Sequence, residues 1–126
     1  MTKQAIASNK LAPPAGPFSA AVRCNGFIYI SGQIGQDPAT GKLVAGGVQD
    51  QTERIFANLA LVLEAAGKSF ADVVRSVVYL TDMASFSSMN GVYAKHFAQP
   101  YPARTTIGVA ALPLGALVEI DLVVQD

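Results

Sequence analysis

Tyr101-Pro102-Ala103-Arg104-Thr105-Thr106-Ile107 leads through Leu112-Pro113-Leu114-Gly115 into Leu117-Val118-Glu119-Ile120-Asp121-Leu122. Both flanks alternate at period two, so each is predicted to be a β-strand and the pair a hairpin or near-hairpin. The first strand carries a single arginine, and the second a glutamate between Val118 and Ile120. A guanidinium is a rigid, two-pronged donor that matches a carboxylate. Two readings are open here. Arg104 and Glu119 pair with each other as a structural ion pair, or Arg104 binds an external carboxylate while Glu119 holds a water beside it.

Upstream, residues 11–17 form a proline-stiffened entry expected to lie along the body. Residues 20–24 and 27–31 flank Asn25-Gly26, the strongest short hairpin signal. A second turn is predicted at Asp37-Pro38-Ala39-Thr40-Gly41. The first third therefore reads as antiparallel β. The period then changes: Ile55, Leu59, Val62, Leu63 and Ala66 follow helical spacing over 48–66, Phe56 widens the stripe, and Gly67 stands at the stop. Asp50 with Glu53 is a candidate start signal. Ser69-Phe70-Ala71-Asp72 reads as one capped turn. A strand follows over 75–81, and a second helix over 84–97 with Phe86, Met89, Tyr93 and Phe97 on one stripe. Pro100 and Pro102 stop it. The closing strands are 104–110 and 117–124. The order β-β-β-α-β-α-β-β predicts an α+β fold, a mixed sheet with two helices on one face, in one domain over residues 1–126.

Charged residues make up only 14% of the chain and apolar ones 51%, against roughly a quarter charged in ordinary soluble domains. No apolar run approaches the roughly 20 residues of a membrane span. A chain this poor in charge is expected to bury surface against copies of itself. Lys+Arg and Asp+Glu balance at nine each with no basic cluster, which disfavours nucleic-acid binding. Met1-Thr2-Lys3-Gln4 shows no apolar signal core, so the expected compartment is the cytoplasm. One cysteine, Cys24, and one histidine, His96, leave no zinc set and no Cys-His dyad. No metal and no cofactor is expected.

Further candidates stand at element ends and on strand faces. Ser31-Gly32-Gln33 closes a strand, with a glycine that permits close approach. Asn90 is an amide among Phe86, Met89 and Tyr93 and needs a hydrogen-bond partner or a function. Arg104 and Thr106 share a strand face that Gly108 continues without a side chain. Phe18 projects from the loop Gly16-Pro17-Phe18-Ser19.

These residues occur in order with Ile30-Ser31-Gly32-Gln33-Ile34, Asp37-Pro38-Ala39-Thr40-Gly41, Asn58-Leu59, Glu64-Ala65-Ala66-Gly67, Tyr101-Pro102-Ala103-Arg104 and Val118-Glu119-Ile120. From Ala15 to Val124 the sequence resembles the reactive intermediate/imine deaminase family (RidA, YjgF-type, also called L-PSP endoribonuclease-like). The resemblance implies a chorismate-mutase-like fold and a homotrimer with a β-barrel-like centre and pockets between subunits. It also implies hydrolysis of 2-imino and enamino acids, such as 2-aminoacrylate, to 2-keto acids and ammonia. By position, Arg104 would bind the substrate carboxylate, and Glu119 would place and activate water. Ser31, Gly32 and Asn90 would line the pocket. Thr106 stands where many relatives carry cysteine and is kept as a binder. Phe18 departs from the family's tyrosine, and Gly108 from a glutamate common nearby. A non-catalytic carboxylate- or protein-binding trimer and a deaminase for a related substrate such as aminomuconate are the alternatives. RNA cleavage or translation inhibition is disfavoured by the neutral charge and single histidine.

Overall fold

The structure, a computed structural model, describes residues 2–126. Its strands are β1 (Gln4–Ile6), β2 (Ala21–Cys24), β3 (Phe27–Gln33), β4 (Val73–Leu80), β5 (Ala103–Gly108) and β6 (Val118–Gln125). The helices are α1 (Val48–Ala66) and α2 (Phe86–Tyr93). They form a mixed α+β fold whose single sheet runs β1-β2-β3-β6-β4-β5.

The period-two pattern of β6 organises this sheet. Val118, Ile120, Leu122 and Val124 are buried, while the alternate residues Glu119 and Asp121 face the other way. Ile28 and Ile30 of β3 and Val78 and Leu80 of β4 are buried on the same side, together with Ile55, Phe56, Leu59, Val62 and Leu63 of α1 and Met89 of α2. Each fully buried aliphatic side chain contributes about 1.5–3 kcal/mol, an upper estimate because unfolded chains are partly compact. The opposite face has no helix over it. Phe27, Tyr29 and Ile107 lie there, between 40% and 50% exposed.

Local chemistry explains most boundaries. Asn25 and Gly26 both hold positive φ, 54° and 85°, as the two-residue turn between β2 and β3 requires. Helix α1 ends where Gly67 enters the left-handed region at φ 72°. There Lys68 N–H donates to the Leu63 carbonyl at 2.9 Å. Its start differs from the expected Asp50–Glu53 signal: the Asp50 carboxylate accepts from Gly47 N–H at 3.1 Å, and Glu53 instead receives Lys95 and His96.

Three other expectations are corrected. The strands carrying Arg104 and Glu119 do not form a hairpin. β5 pairs parallel with β4, and β4 pairs antiparallel with β6, so β4 lies between them. The β4–α2–β5 crossover returns β5 parallel to β4 at the outer edge of the sheet. The turn at Asp37–Gly41 closes only a single bridge, Gln36 to Leu43; the remaining early strand is β1, at Gln4–Ile6. The second helix is shorter than 84–97, with a tight turn at Met83–Ser85 before it.

Gly67→Ala should lower stability by roughly 1–2 kcal/mol, because alanine in the left-handed region crowds its own backbone. Thermal unfolding of the purified variant measures this.

Candidate functional site

Register decides which of the candidate residues can meet. Arg104 pairs with Ser76 and Thr106 with Val78, both of which are buried on the helix side. Glu119 pairs with Tyr79 on the open side. Arg104 and Glu119 therefore sit on opposite faces with β4 between them. The structural ion pair does not form, and the candidate residues fall into two clefts.

The first cleft, about 290 Å³, is lined by Asn90, Tyr93, Ala94, Tyr101, Pro102 and Arg104. The Arg104 guanidinium carbon lies 4.6 Å from the Tyr93 ring centroid and 5.5 Å from that of Phe86. Such faces attract a cation and restrict its motion without using its N–H donors. Tyr93 is itself fixed, its hydroxyl 2.7 Å from Ser76 Oγ within the core. Among the described residues no carboxylate lies within ion-pair distance of Arg104, and no side chain accepts from it. The fork is left free for a ligand. Asn90 Oδ1 is buried in the same region without a donor, a state that costs about 1–3 kcal/mol unless a partner arrives.

The second cleft, about 280 Å³, holds Glu119, Gly32 and Phe18. It lies at a bulge in β3: between the pairs Ile30–Leu122 and Gln33–Ile120, Ser31 and Gly32 together oppose the single residue Asp121 of β6. The bulge brings Gly32 against Glu119 so closely that a Cβ there would stand 2.8 Å from the carboxyl carbon. A larger residue here would force the Glu119 side chain out of its present position. Burial pushes the Glu119 carboxyl above its usual range, and the nearby Asp121 carboxylate adds to the shift. Ser31 does not line the cleft; its hydroxyl donates to the Ser19 carbonyl at 2.6 Å and anchors the Phe18 loop. Thr106 lines neither cleft.

Several lining residues carried no assigned role in the sequence. Tyr93 and Phe86 were legible only as a helical stripe, although an arginine predicted on the neighbouring strand is a signal for an aromatic shelf. Asn58 is buried in α1 and donates to the Gln36 carbonyl at 2.9 Å. Leu114 lines the Glu119 cleft with φ 59° and ψ 17°. A bulky L-residue pays roughly 1–2 kcal/mol for that left-handed conformation.

A raised carboxyl pKa means the folded state binds this proton more tightly than the unfolded chain does. The associated stability is therefore present at low pH and lost as pH rises through the folded value. Glu119→Gln should match wild type near about pH 4 and become relatively more stable toward about pH 7. Melting temperatures of both proteins across that range measure the difference; a constant offset would contradict it.

A family model described as Endoribonuclease L-PSP matches residues 9–125. Reactive Intermediate Deaminase A, chloroplastic, of Arabidopsis thaliana is 43% identical over 96% of this chain and 65% of its own longer length, so the chain spans just under two thirds of that relative. A 2-iminobutanoate/2-iminopropanoate deaminase of Bos taurus is 42% identical over 98% of this chain and 90% of its own. The crystal structure of RidA from the Antarctic bacterium Psychrobacter sp. superposes with a TM-score of 0.93 at 41% identity, covering 98% of this chain and 99% of that one.

Proposed function

The chain belongs to the Endoribonuclease L-PSP family, which includes the Rid deaminases, and on that premise we propose that it deaminates reactive 2-imino and enamino acids by hydrolysis. The observation that carries the reading is the free guanidinium of Arg104, held on two aromatic rings with no carboxylate to neutralise it. A planar fork of this kind matches a substrate carboxylate with two parallel hydrogen bonds.

The site is assembled where two copies meet, in a homotrimer. Its two charged members occupy opposite faces of one chain, and the open face exposes Phe27, Tyr29 and Ile107 to a neighbour. Closed rings use heterologous contacts, in which one surface of a subunit meets a different surface of the next. Such a contact brings the Arg104 cleft of one copy to the Glu119 cleft of another.

In that site Arg104 fixes the carboxylate, and Asn90 Oδ1 accepts a substrate N–H. Gly32 forms the wall beside Glu119, Ser31 anchors the loop from which Phe18 covers it, and Thr106 continues the strand of Arg104 outside both single-chain clefts. An enamine such as 2-aminoacrylate first shifts a proton to carbon and becomes the imine. Glu119 holds a water, which adds through oxygen to the imine carbon while a proton passes to nitrogen. The new hydroxyl then gives its proton to nitrogen, the C–N bond breaks, and the products are a 2-keto acid and ammonia. Two of the three hydrogens on the departing ammonia come from the water, and the third is the imine's own N–H. A carboxyl whose pKa is raised by burial holds a proton more readily than an ordinary glutamate, which suits this relay. Imines are labile enough that orientation and acid/base help suffice, without a covalent nucleophile.

RNA cleavage, suggested by the family's name, finds less support. His96 is the one histidine; it stacks on Phe56 at 4.2 Å, contacts Glu53, and lines neither cleft. The compartment we propose is the cytoplasm. Among the described residues no helix is long and apolar enough to cross a membrane.

The test couples the protein to an enzyme that generates 2-aminoacrylate and follows pyruvate release against the uncatalysed rate. Arg104→Lys keeps the charge without the fork, and Arg104→Ala removes both; each should cost about 10²-fold or more in kcat/KM through lost orientation. Glu119→Gln should slow turnover by about 10²–10⁴-fold while still binding 2-ketobutyrate. Intact turnover in folded Arg104→Ala would remove this site from consideration.

Subunit mixing tests the shared site. Arg104→Ala and Glu119→Gln are each inactive alone, but when unfolded and refolded together at equal amounts they should recover about a quarter of wild-type activity, since that fraction of random seams carries both native residues. No recovery from a confirmed mixed trimer would place both residues in one subunit's site.

A further inference from the structure

The Glu119 cleft is far less polar than hydrolysis alone requires. Its walls include Leu11, Pro14, Phe18, Ile34 and Leu114, and Glu119 is the only ionisable side chain lining it. Two of these residues flank the acid with apolar surface. Phe18 and Leu114 are 55% and 64% exposed in the single chain, at the cleft that a neighbouring copy closes in the proposed trimer. Leu114 also holds a left-handed backbone, φ 59°, which asparagine or glycine would adopt more readily. Local strain kept at a cleft points toward a use for the side chain it presents.

We propose that Phe18 and Leu114 form an apolar subsite for the substrate's own side chain, and that the preferred substrates are 2-imino acids with branched aliphatic or aromatic side chains. The inference rests on the deaminase reading above and adds the substrate class. The geometry divides the substrate into three parts. Its carboxylate goes to the Arg104 fork, its C=N carbon lies beside Glu119, and its side chain enters the cleft between Phe18 and Leu114. An acidic side chain is disfavoured there because Glu119 and Asp121 already crowd negative charge into the site. A lone methyl group leaves most of the 280 Å³ unfilled.

The experiment compares imines formed by oxidising leucine, phenylalanine, alanine and glutamate, with keto-acid release followed for each. Wild type should favour the leucine- and phenylalanine-derived imines over the alanine-derived one by about tenfold in kcat/KM, the range that a few methylenes command in an apolar pocket. The glutamate-derived imine should be the poorest. Leu114→Asn should fold with an equal or higher melting temperature, because asparagine tolerates the left-handed backbone. It should nevertheless lower the leucine-to-alanine ratio severalfold, and Phe18→Ala should do the same. A ratio near one in wild type, or a ratio that neither variant moves, overturns the subsite while leaving deamination intact. Failure to accelerate any of the four imines overturns the deaminase reading itself.

Discussion

The alternation along β6 is the constraint from which the rest of the molecule follows. β6 lies between β3 and β4 and is hydrogen-bonded to both, so its pleat is held from two sides. Val118, Ile120, Leu122 and Val124 go under the helices, and Glu119 must then point the other way. A slip of one residue would expose four core side chains and turn two carboxylates, Glu119 and Asp121, into the core. The position of the acid is therefore secured by the apolar burial on the other face of its own strand. No hydrogen bond to the carboxylate is needed to hold it, and its oxygens stay free.

The same geometry explains why Arg104 keeps its donors. An arginine and a glutamate on one face of neighbouring strands pair readily, and a paired fork binds external carboxylate poorly because the internal partner must first be displaced. Here β4 intervenes and the two side chains leave the sheet in opposite directions. The guanidinium rests on the Tyr93 and Phe86 rings, which stabilise its charge while leaving its edge open. Within one chain, Arg104 and Glu119 each have a separate preorganised setting.

Sequence legibility follows the range of the interactions involved. Helix α1 and its stop at Gly67 were readable, since the apolar period and a left-handed glycine are local signals. The Asn25-Gly26 hairpin was readable for the same reason. The relation of β5 to β6 was not. Two alternating segments separated by a short turn look like a hairpin, and only the parallel return through α2 admits β4 between them. β1 went unseen because three residues with one buried side chain carry almost no pattern. Arg104, Glu119, Gly32 and Asn90 stood out singly as polar or missing side chains in apolar settings. Their division between two clefts depends on register, which neighbouring residues do not encode. Ser31 was read as pocket lining, and its hydroxyl is spent on the Ser19 carbonyl.

Leu114 marks the limit of that legibility in a useful way. Nothing in Leu112-Pro113-Leu114-Gly115 announces a left-handed leucine; Gly115 is the residue a reader would assign that conformation, and it adopts one too, at φ 73°. The turn therefore places two successive residues at positive φ, one of them against its preference. A surface turn free of other demands would relax by accepting a smaller or more polar residue, gaining stability without loss. The apolar side chain placed there lines the same cleft as Phe18 and Glu119, which accords with the proposed subsite. The fold needs the turn, and the chemistry accounts for the leucine.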